Sequence, residues 1–538
     1  MLLAVALISL TLWLYLTAAR GTFWRLGDFD DDTAHHQPPS SWPRVIAIIP
    51  ARNEAESIHQ SLASLLQQNY PGQFHIILID DHSEDATTQI ARQTAQSLNA
   101  GSRFTLLSAS PLPANWTGKL WALNQGVTHA NADAPIRTGA APLRPNSATN
   151  QPSTPADLQF TDAGSTDANT DSIRTGAAPL RPSSATNQRS TPTDLLTDAA
   201  IPHANANANA NANANAFITR TGAAPLRPSS ATNQRSTPAY LWFTDADITH
   251  APDTLQRLVS RAEKNHLDLT SLMVQLQAKT LPERALIPAF LFFFLKLYPP
   301  NWIADPNAST AGAAGGCILL RTEALQKIGG LAAIRGEVID DCALARAVKV
   351  AQPLLAVLRR SPSSNPQPTS PDQQLQPEAQ PAPQPKPRNA SPSQSHQSGP
   401  IPSGRLWMGL TRQSTSLRAS TTFHEIRDMI ARTAYTQLRY NPLLLLGTVA
   451  AMALIYLAPV ALLFSHNTAT RILAAATCLL MFLLYVPTIR FYRLSSLWAA
   501  TLPAAALFYT YATLLSAIRY HQGRGAQWKG RSQIPRQP

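Results

Sequence analysis

Two short apolar strands alternate with two helical segments near the start of this chain, and this order restricts the possible folds more than any other feature. The run "RVIAIIP" ends at Pro50 and the run "FHIILIDD" ends at Asp81. Each is apolar and short enough to be a buried strand, and residues 54–68 and a segment reaching Leu98 have apolar side chains at helical spacing. This order predicts a doubly wound, mostly parallel α/β sheet, which binds ligands at the carboxyl ends of its strands.

Acidic pairs directly follow two of the predicted strands. Asp80 and Asp81 close the second strand, and Asp245 and Asp247 follow the later apolar run "AYLWFT". Helix capping by Ser83 accounts for part of the first motif, and a lone Asp-x-Asp pair is common in solvated loops. Two carboxylates at the end of a buried strand also suit Mg²⁺ or Mn²⁺, which prefer oxygen ligands and share them with phosphate. We therefore interpret Asp245 and Asp247 as a candidate metal site.

Two further motifs place charged side chains at the start of helices. In "NWTGKLWALNQG", Gly118 and Lys119 can meet a phosphate ahead of a helix from Leu120, although a Gly-Lys pair without a glycine-rich loop is not a P-loop. In "EVIDDCALARAV", Asp340 and Asp341 begin a helix. Carboxylates in that position commonly interact only with the helix dipole. In a site that also holds a metal and a nucleotide, one of them can serve as the general base.

A Pro-rich phrase occurs three times, in copies that begin at Arg137, Arg174 and Arg220. These copies lack the apolar face that stacked repeats share. We predict that residues 134–238 form a disordered insertion, and that the Pro-, Gln- and Ser-rich residues 353–404 form a second one. Earlier copies of the Thr-Asp-Ala motif inside the first insertion lack the second acid, so only Asp245 and Asp247 complete it.

Together these motifs resemble the family 2 glycosyltransferases, which have the GT-A fold. The matching segments, in the family's order, are "PARNE", "DDHSEDAT", "TGKLWALNQG", "TDAD", "GGCILLRTEALQKIGG" and "IDDCALAR". The resemblance covers residues 43–440 apart from the two insertions and implies one catalytic domain there. Within the family, the run from "NWIADPNASTAGAAGG" to "RGEVIDDCALARAVK" and the C-terminal apolar block are most similar to the bacterial hopanoid-associated members. The resemblance implies a nucleotide-sugar donor, with a UDP-sugar as the expected one.

The family's roles carry over to the matching positions. The resemblance implies that the base and ribose of the nucleotide sugar are held by Pro50, Asn53, Glu54, Asp80 and Asp81. Lys119 and Asp245 would lie near the diphosphate, and Asp245 and Asp247 would bind the Mg²⁺ or Mn²⁺ that bridges it. Asp341 occupies the place of the catalytic base, with Asp340 beside it where the family usually has Glu. The implied reaction is a single displacement that inverts the anomeric carbon.

The segment "QLRYN" near the end of this domain resembles the Gln-x-x-Arg-Trp signature of membrane-bound synthases. Gln437 and Arg439 match the signature, but Tyr440 replaces its tryptophan. We interpret the three residues as a candidate acceptor or product site, and the replacement favours transfer of a single sugar. A juxtamembrane anchor of basic and aromatic residues explains the segment equally well.

Four apolar segments have the length and composition of membrane spans. They are residues 1–19 and, within the C-terminal block 443–518, residues 443–464, 472–489 and 497–518. Positive charge follows the first segment, so we expect residues 1–20 to be an uncleaved anchor and not a signal peptide. Four spans would return the basic tail, residues 519–538, to the outside, against the positive-inside tendency, so the topology stays open. The shorter run "ALIPAFLFFFLKLYPP" is expected to lie in the membrane interface.

Composition limits the remaining classes of function. The net charge is +12, but no basic stripe is interleaved with aromatic residues, so we expect no nucleic-acid partner. Cys317, Cys342 and Cys478 lie far apart without a Cys-x-x-Cys pair, which excludes a disulfide framework and a zinc cluster. The apolar segments suggest a lipid acceptor and a membrane location. In a bacterial relative this would be the inner membrane, with the catalytic domain facing the cytoplasm.

Two other functions stay open on the sequence. A processive polysaccharide or glycolipid synthase would use the same donor site and differ in the length of its product. A membrane scaffold whose glycosyltransferase domain is impaired by the insertions would keep the fold without the activity. All the motif carboxylates are present, and both insertions fall between core elements, where added length has a modest entropic cost. These features favour an active enzyme.

Overall fold

The computed structural model describes residues 1–27, 29–30, 38–132, 238–359, 404–524, 527–528 and 531–532, with only the backbone described for 351–359 and for the last two ranges. These residues belong to one unit, formed by Met1–Gly139 and Gln234–Pro538. The repeat insertion predicted for residues 134–238, with the incomplete copies of the Thr-Asp-Ala motif, lies outside the described residues except for its last residue. Most of the second predicted insertion lies outside them as well.

One sheet of eight strands organises the domain. The strands are β1 Val45–Ala51, β2 Phe74–Asp80, β3 Phe104–Ser108, β4 Tyr240–Thr244, β5 Ile248–His250, β6 Leu269–Gln275, β7 Cys317–Arg321 and β8 Leu406–Ser416. Their order across the sheet is β3-β2-β1-β4-β7-β6-β8-β5. The apolar runs explain the central position of β1 and β4, which are buried along their whole length. Two short strands, β9 Gln527–Trp528 and β10 Arg531–Ser532, pair separately.

The direction of the strands confirms the predicted α/β class with a mostly parallel sheet, and it shows which strands depart from that direction. The half of the sheet made by β3, β2, β1 and β4 is parallel, as the alternation of strands and helices predicts. In the other half, β7 runs antiparallel to both β4 and β6, and β5 runs antiparallel to β8. The sheet is therefore mixed. Strand direction depends on the route of the connecting segments, which a local apolar pattern does not encode.

Helices cover the sheet and extend beyond it. The α-helices of the described residues are α1 Leu2–Ala18, α2 Ile58–Leu66, α3 Thr87–Ser97, α4 Gly118–Asn131, α5 Thr254–Lys264, α6 Leu281–Leu297, α7 Pro300–Ala304, α8 Thr322–Lys327, α9 Asp340–Arg359, α10 Phe423–Ala431, α11 Ala434–Gln437, α12 Pro442–Met452, α13 Ala458–Leu462, α14 Thr468–Phe491 and α15 Leu502–His521. Helix α2 begins later than the predicted residue 54, because Glu54 to Ser57 form a turn closed by a hydrogen bond between them. Helix α9 continues past Pro353, where the second insertion was predicted to begin, because the following "LLAVLR" favours a helix.

Helix α4 packs closely on the sheet because Gly126 has no side chain. A Cβ atom there would lie 2.5 Å from Ile48 Cγ2 in β1 and 2.7 Å from Ile79 Cδ1 in β2. The first turn of the same helix carries Lys119. The contact at Gly126 therefore also sets the position of Lys119 relative to the strands.

The Gly126→Ala variant should be less stable than the wild type by up to about 2 kcal/mol, because overpacking costs about 1–3 kcal/mol and the gain in helix propensity offsets about 1 kcal/mol of it. Gly447→Ala in α12 is the matched control, since a Cβ atom at Gly447 meets nothing within 4 Å. Thermal unfolding of both variants in detergent measures the difference. Equal midpoints for the two variants would contradict close packing at Gly126.

Four helical segments are long and apolar enough to cross a membrane: Leu281–Ala304, Pro442–Leu462, Thr468–Phe491 and Ser496–His521. The last three correspond to the three segments predicted near the C-terminus. The first is longer than its sequence suggested, because α6 and α7 together give a segment of 24 residues, and its position in the membrane interface stays a prediction. Helix α1 is apolar but has 17 residues, so its role as a membrane anchor stays a prediction.

Helix α1 is attached to the C-terminal helices at a π-helical turn, Ala453–Leu457. Ser9 Oγ donates to the carbonyl of Leu454 at 3.0 Å, and Trp13 Nε1 donates to the carbonyl of Ile455 at 2.8 Å. A π turn shifts the usual hydrogen-bond ladder of a helix, and an unpaired carbonyl in apolar surroundings is costly. The side chains of Ser9 and Trp13 therefore stabilise the π turn and attach the N-terminal helix to the C-terminal helices.

Candidate functional site

The carboxyl ends of β2, β1 and β4 meet at one edge of the sheet, and two predicted acidic motifs come with them. Asp80 is the last residue of β2 and pairs with Ala51 at the end of β1. Asp245 directly follows β4, whose Phe243 pairs with Ile48 of β1. The topology therefore brings the two motifs to the same edge, as the sequence predicts.

The loops that follow β1 and β2 are hydrogen-bonded to each other. Asn53 has a φ of 51°, a left-handed conformation that asparagine tolerates better than most residues. Its N–H donates to Ser83 Oγ at 3.0 Å, and its Oδ1 accepts the N–H of Glu84 at 2.8 Å. The N–H of Glu54 donates to Thr87 Oγ1 at 2.8 Å. Asn53 and Glu54 thus fix the shape of this edge.

Both aspartates of the first motif are buried. Asp80 is 7% exposed and Asp81 is 1% exposed. The two carboxylate oxygens of Asp80 each accept the N–H of Ser83 at 3.3 Å, and Arg52 Nη1 donates to the carbonyl of Asp81 at 2.6 Å. In this structure Asp80 and Asp81 organise the loop that follows β2, and their side chains expose little surface to a ligand.

Lys119 joins two of the acidic motifs. Its Nζ lies 2.8 Å from Asp245 Oδ1 and 3.6 Å from Asp340 Oδ2, in a cleft that Pro50 also lines. Burial alone would lower the pKa of Lys119, but the carboxylates of Asp245 and Asp340 outweigh it and raise that pKa above its ordinary value. The lysine is therefore a permanent positive charge inside the cleft.

Asp341 lies in the same cleft and is held by backbone donors. Gly315 N–H donates to Asp341 Oδ2 at 2.9 Å, and Cys342 N–H donates to Oδ1 at 2.7 Å. A Cβ atom on Gly315 would lie 3.2 Å from Asp341 Oδ2, so glycine allows this close approach. Burial and the carboxylate of Asp340 raise the pKa of Asp341 to about 6, although Lys119 opposes the shift. A carboxylate with such a pKa is suited to accept a proton.

Asp247 carries negative charge that its surroundings do not fully offset. Burial and the carboxylates of Asp245 and Glu54 raise the pKa of Asp247 to about 6, although Arg418 opposes the shift. A divalent cation would relieve this repulsion, and the two aspartates supply the oxygen ligands that Mg²⁺ or Mn²⁺ prefers. Within the described part of the chain, no group of three or more Asp, Glu, His or Cys side chains is arranged to hold a metal. The pair therefore fits a cation that takes its other ligands from phosphate and water.

Gln437 connects the predicted acceptor motif to the cleft. Its Nε2 donates to Tyr298 Oη at 2.7 Å, and the Tyr298 hydroxyl interacts electrostatically with Cys342 and Asp341. Sequence reasoning missed Tyr298, although its position at the end of the aromatic run of α6 was a usable signal. The contact brings the end of an apolar helix to the residues around Asp341.

Tyr440, the last residue of that motif, lies in a separate aromatic cluster. Tyr440 stacks on Tyr520 of α15 with ring centroids 4.3 Å apart, and its hydroxyl lies 3.0 Å from Thr436 Oγ1. Arg439 and Tyr440 both have a positive φ, so the chain turns sharply here. This packing against a C-terminal helix agrees with the anchor interpretation for Tyr440.

Two arginines that no motif marks also act on the cleft. Arg418 interacts with Asp247, and Arg432 interacts with the carboxylates of Asp245, Asp340 and Asp341. Arg418 lies in a loop, and Arg432 stands four residues after Asp428, a spacing that predicts at most a pair along the helix. The sequence therefore offered no signal that either arginine acts on the cleft. Only the fold brings them to this site.

Two family models match the segments that build the cleft. Residues 46–137 match "Glycosyl transferase family 2", and residues 232–375 match "Glycosyl transferase family 21". Glycosyltransferase AglE of Haloferax volcanii is 42% identical over 55 residues, which are 10% of this chain and 18% of that protein. The probable glycosyltransferase YdaM of Bacillus subtilis is 32% identical over 92 residues, which are 17% of this chain and 21% of that protein. The chain thus spans about a fifth of the length of these curated relatives.

Similar solved structures are distant in sequence. The mannosyltransferase PcManGT from Pyrobaculum calidifontis, in complex with GDP-Man and Mn²⁺, is 14% identical, with 96% of this chain and 99% of that chain covered and a TM-score of 0.43. TarS 1-349 of S. aureus, in complex with UDP-GlcNAc, is 9% identical, with 92% and 98% covered and a TM-score of 0.31. At these scores the similarity assigns no role to any residue.

The two family matches lie on either side of the repeats, and together they include the carboxylates and the lysine of the cleft. Both family models describe glycosyltransferases. The chain therefore carries a glycosyltransferase domain whose first segment matches family 2 and whose second segment matches family 21.

Proposed function

We propose that this protein is a membrane-bound inverting glycosyltransferase that moves a single sugar from a nucleotide sugar to the hydroxyl group of a lipid. The observation that carries the proposal is the meeting of Lys119, Asp245, Asp340 and Asp341 in one cleft at the carboxyl edge of the sheet. The cleft combines a permanent cation with a carboxylate of raised pKa, and its Asp245 also belongs to the carboxylate pair suited to a metal. Transfer from a nucleoside diphosphate requires these three functions.

The donor would lie across the ends of β1, β2 and β4. Its base and ribose would contact the loops that carry Pro50, Asn53, Glu54, Asp80 and Asp81. Lys119 would offset part of the diphosphate charge. In this structure the ammonium group of Lys119 is paired with Asp245 and Asp340. Asp245 and Asp247 would hold Mg²⁺ or Mn²⁺, which supplies charge stabilisation for the departing diphosphate. A UDP-sugar is the donor to test first.

Asp341 would act as the general base. Its carboxylate takes the proton of the acceptor hydroxyl while that oxygen attacks the anomeric carbon from the face opposite the diphosphate. The bond to the diphosphate breaks as the glycosidic bond forms, so the configuration inverts and no covalent intermediate arises. With a pKa of about 6, Asp341 is ionised at neutral pH and still basic enough to accept a proton. The N–H groups of Gly315 and Cys342 keep the carboxylate in place.

The apolar helices support a lipid as the acceptor. Helix α6 belongs to one of the segments long enough to cross a membrane and ends at Leu297. The next residue, Tyr298, accepts a hydrogen bond from Gln437 and interacts electrostatically with Asp341. A lipid lying along α6 would therefore present its polar end near the base. The resemblance to hopanoid-associated members makes a hopanoid alcohol the first acceptor to test.

We assign the protein to the bacterial inner membrane with the catalytic domain facing the cytoplasm, where nucleotide sugars occur. Transfer of a single sugar is supported by Tyr440, which replaces the tryptophan of polymer synthases and stacks on Tyr520. Arg439, next to it, stays in the candidate acceptor or product site on the resemblance alone.

The full-length protein in detergent tests this function. Thermal unfolding is measured with UDP-sugars and GDP-sugars in the presence of Mn²⁺, and a donor at about 100 times its Kd should stabilise the protein by about 2.7 kcal/mol. That donor, radiolabelled, is then incubated with a bacterial lipid extract that contains hopanoid alcohols. We expect one sugar per lipid with inverted configuration. Long products would indicate a processive synthase, and absence of both stabilisation and transfer would leave the scaffold function.

A further inference from the structure

Two arginines beside the cleft have no ionic partner of their own within the described part of the chain. Arg418 follows β8, and Arg432 is the C-terminal cap residue of α10. Among described residues, neither guanidinium group forms an ion pair within 4 Å, whereas Arg427 of the same helix α10 lies 2.9 Å from Asp428. Both arginines reach solvent, although the protein around the guanidinium group of Arg432 lowers its pKa by partial burial. Their charge is therefore available to a ligand.

The loop that carries Arg418 is fixed against the second acidic motif. The N–H of Leu417 donates to the carbonyl of Asp247 at 2.7 Å. On the other side, Gln277 Nε2 donates to the carbonyl of Leu417 at 2.8 Å. The backbone of the next residue, Arg418, therefore lies close to the backbone of Asp247.

The backbone around Arg432 is fixed by hydrogen bonds at the start of α10 and after its end. Helix α10 begins with a capping box formed by Thr422 and Glu425, and the segment after the helix is joined to α15 by the N–H of Tyr435, which donates to Ser516 Oγ at 3.1 Å. From this position the charge of Arg432 acts on three aspartates of the cleft and is repelled by Arg418. The charges of both arginines therefore act on the carboxylates of the site, one from the loop after β8 and the other from the C-terminal end of α10.

The charges around the cleft indicate which kind of ligand Arg418 and Arg432 can bind. Lys119 is already engaged by Asp245 and Asp340, and the aspartates around it would repel a phosphate that entered alone. Arginine presents a planar fork that donates two parallel hydrogen bonds to phosphate oxygens. An oxyanion placed between the two guanidinium groups would also remove their mutual repulsion.

We infer that Arg418 and Arg432 together form a binding site for a phosphate group at the junction of the cleft and the C-terminal helices. The inference rests on the proposed function, which supplies one source for that group, the diphosphate of the nucleotide donor. A phosphate on a lipid that also carries a hydroxyl group is the other source. The chemistry is the same in both cases.

The test uses full-length protein in detergent with Mn²⁺ and the variants Arg418→Gln and Arg432→Gln. Thermal-shift titrations compare UDP with uridine for the donor source, and farnesyl phosphate with farnesol for the lipid source. Each variant should weaken binding of the phosphorylated member of a pair by about tenfold or more, since a charge-assisted hydrogen bond is lost, and leave the other member unchanged. Arg418→Lys and Arg432→Lys should recover part of the affinity. Arg427→Gln is the matched control, with the same change of charge on α10.

Loss of affinity for UDP alone assigns the site to the donor, and loss for farnesyl phosphate alone assigns it to the acceptor. Unchanged affinity for both, or an equal loss for uridine and farnesol, overturns the inference. A wild-type protein that binds neither UDP nor GDP would instead contradict the proposed function. In that case inorganic pyrophosphate, titrated against the same variants, still decides whether the two arginines bind phosphate.

Discussion

Transfer activity should fall by about 10²- to 10⁴-fold in the Asp341→Asn variant, while donor binding stays unchanged. Asparagine keeps the size of the side chain and one oxygen for the N–H of Gly315, which donates to Asp341 Oδ2 at 2.9 Å. The amide cannot accept the proton of the acceptor hydroxyl. Transfer of labelled sugar to lipid measures the loss, and thermal-shift titration with UDP measures donor binding.

Wild-type activity should also decline as the pH falls through about 6, because protonation removes the base form of Asp341, whose pKa is raised to about that value. Asp305→Asn is the control for the substitution itself, since Asp305 is exposed, its Oδ1 accepts the N–H of Asn307 at 2.8 Å, and its charge acts on Lys349 and not on the cleft aspartates. An equal loss of transfer and UDP binding in Asp341→Asn would show that the residue supports the fold of the cleft and is not the base.

The second large effect is expected for Asp247→Ala, which should lose at least about 10²-fold in transfer, since metal stabilisation of the leaving group contributes several kcal/mol. The variant should also lose the increase in UDP affinity that Mn²⁺ produces in the wild type. The physical reason is that burial and the crowding of negative charge by Asp245 and Glu54 raise the pKa of Asp247 to about 6, and a cation would relieve that crowding. Titration of UDP with and without Mn²⁺ separates the metal effect from direct binding.

Glu56→Ala is the matched control for Asp247→Ala, because it removes an exposed carboxylate from the neighbouring loop after β1. Treatment of the wild-type protein with a chelator should reproduce the loss seen in Asp247→Ala. If full transfer survived chelation, the metal role of Asp245 and Asp247 would be wrong.

Local apolar patterns were sufficient for the elements that build the first half of the domain. The strands that end near Pro50 and at Asp80 lie where the sequence predicts them, since a run of buried apolar residues marks a strand directly. The boundaries of some helices differ from those that the sequence predicts. Helix α2 starts at Ile58 because the backbone of Glu54 closes a turn, and α6 with α7 forms a longer apolar segment than the prolines around Tyr298 suggest.

The sequence by itself determined the order of strands and helices in the first half of the sheet and the residue types available to the site, because periodicity and motifs are local properties. Only the tertiary structure decided the antiparallel direction of β7 and the ion pairs of Lys119 with Asp245 and Asp340. The same is true of the positions of Arg418 and Arg432 beside these carboxylates. Such contacts join residues that are far apart in the chain, and the packing of the whole domain sets the distance between them.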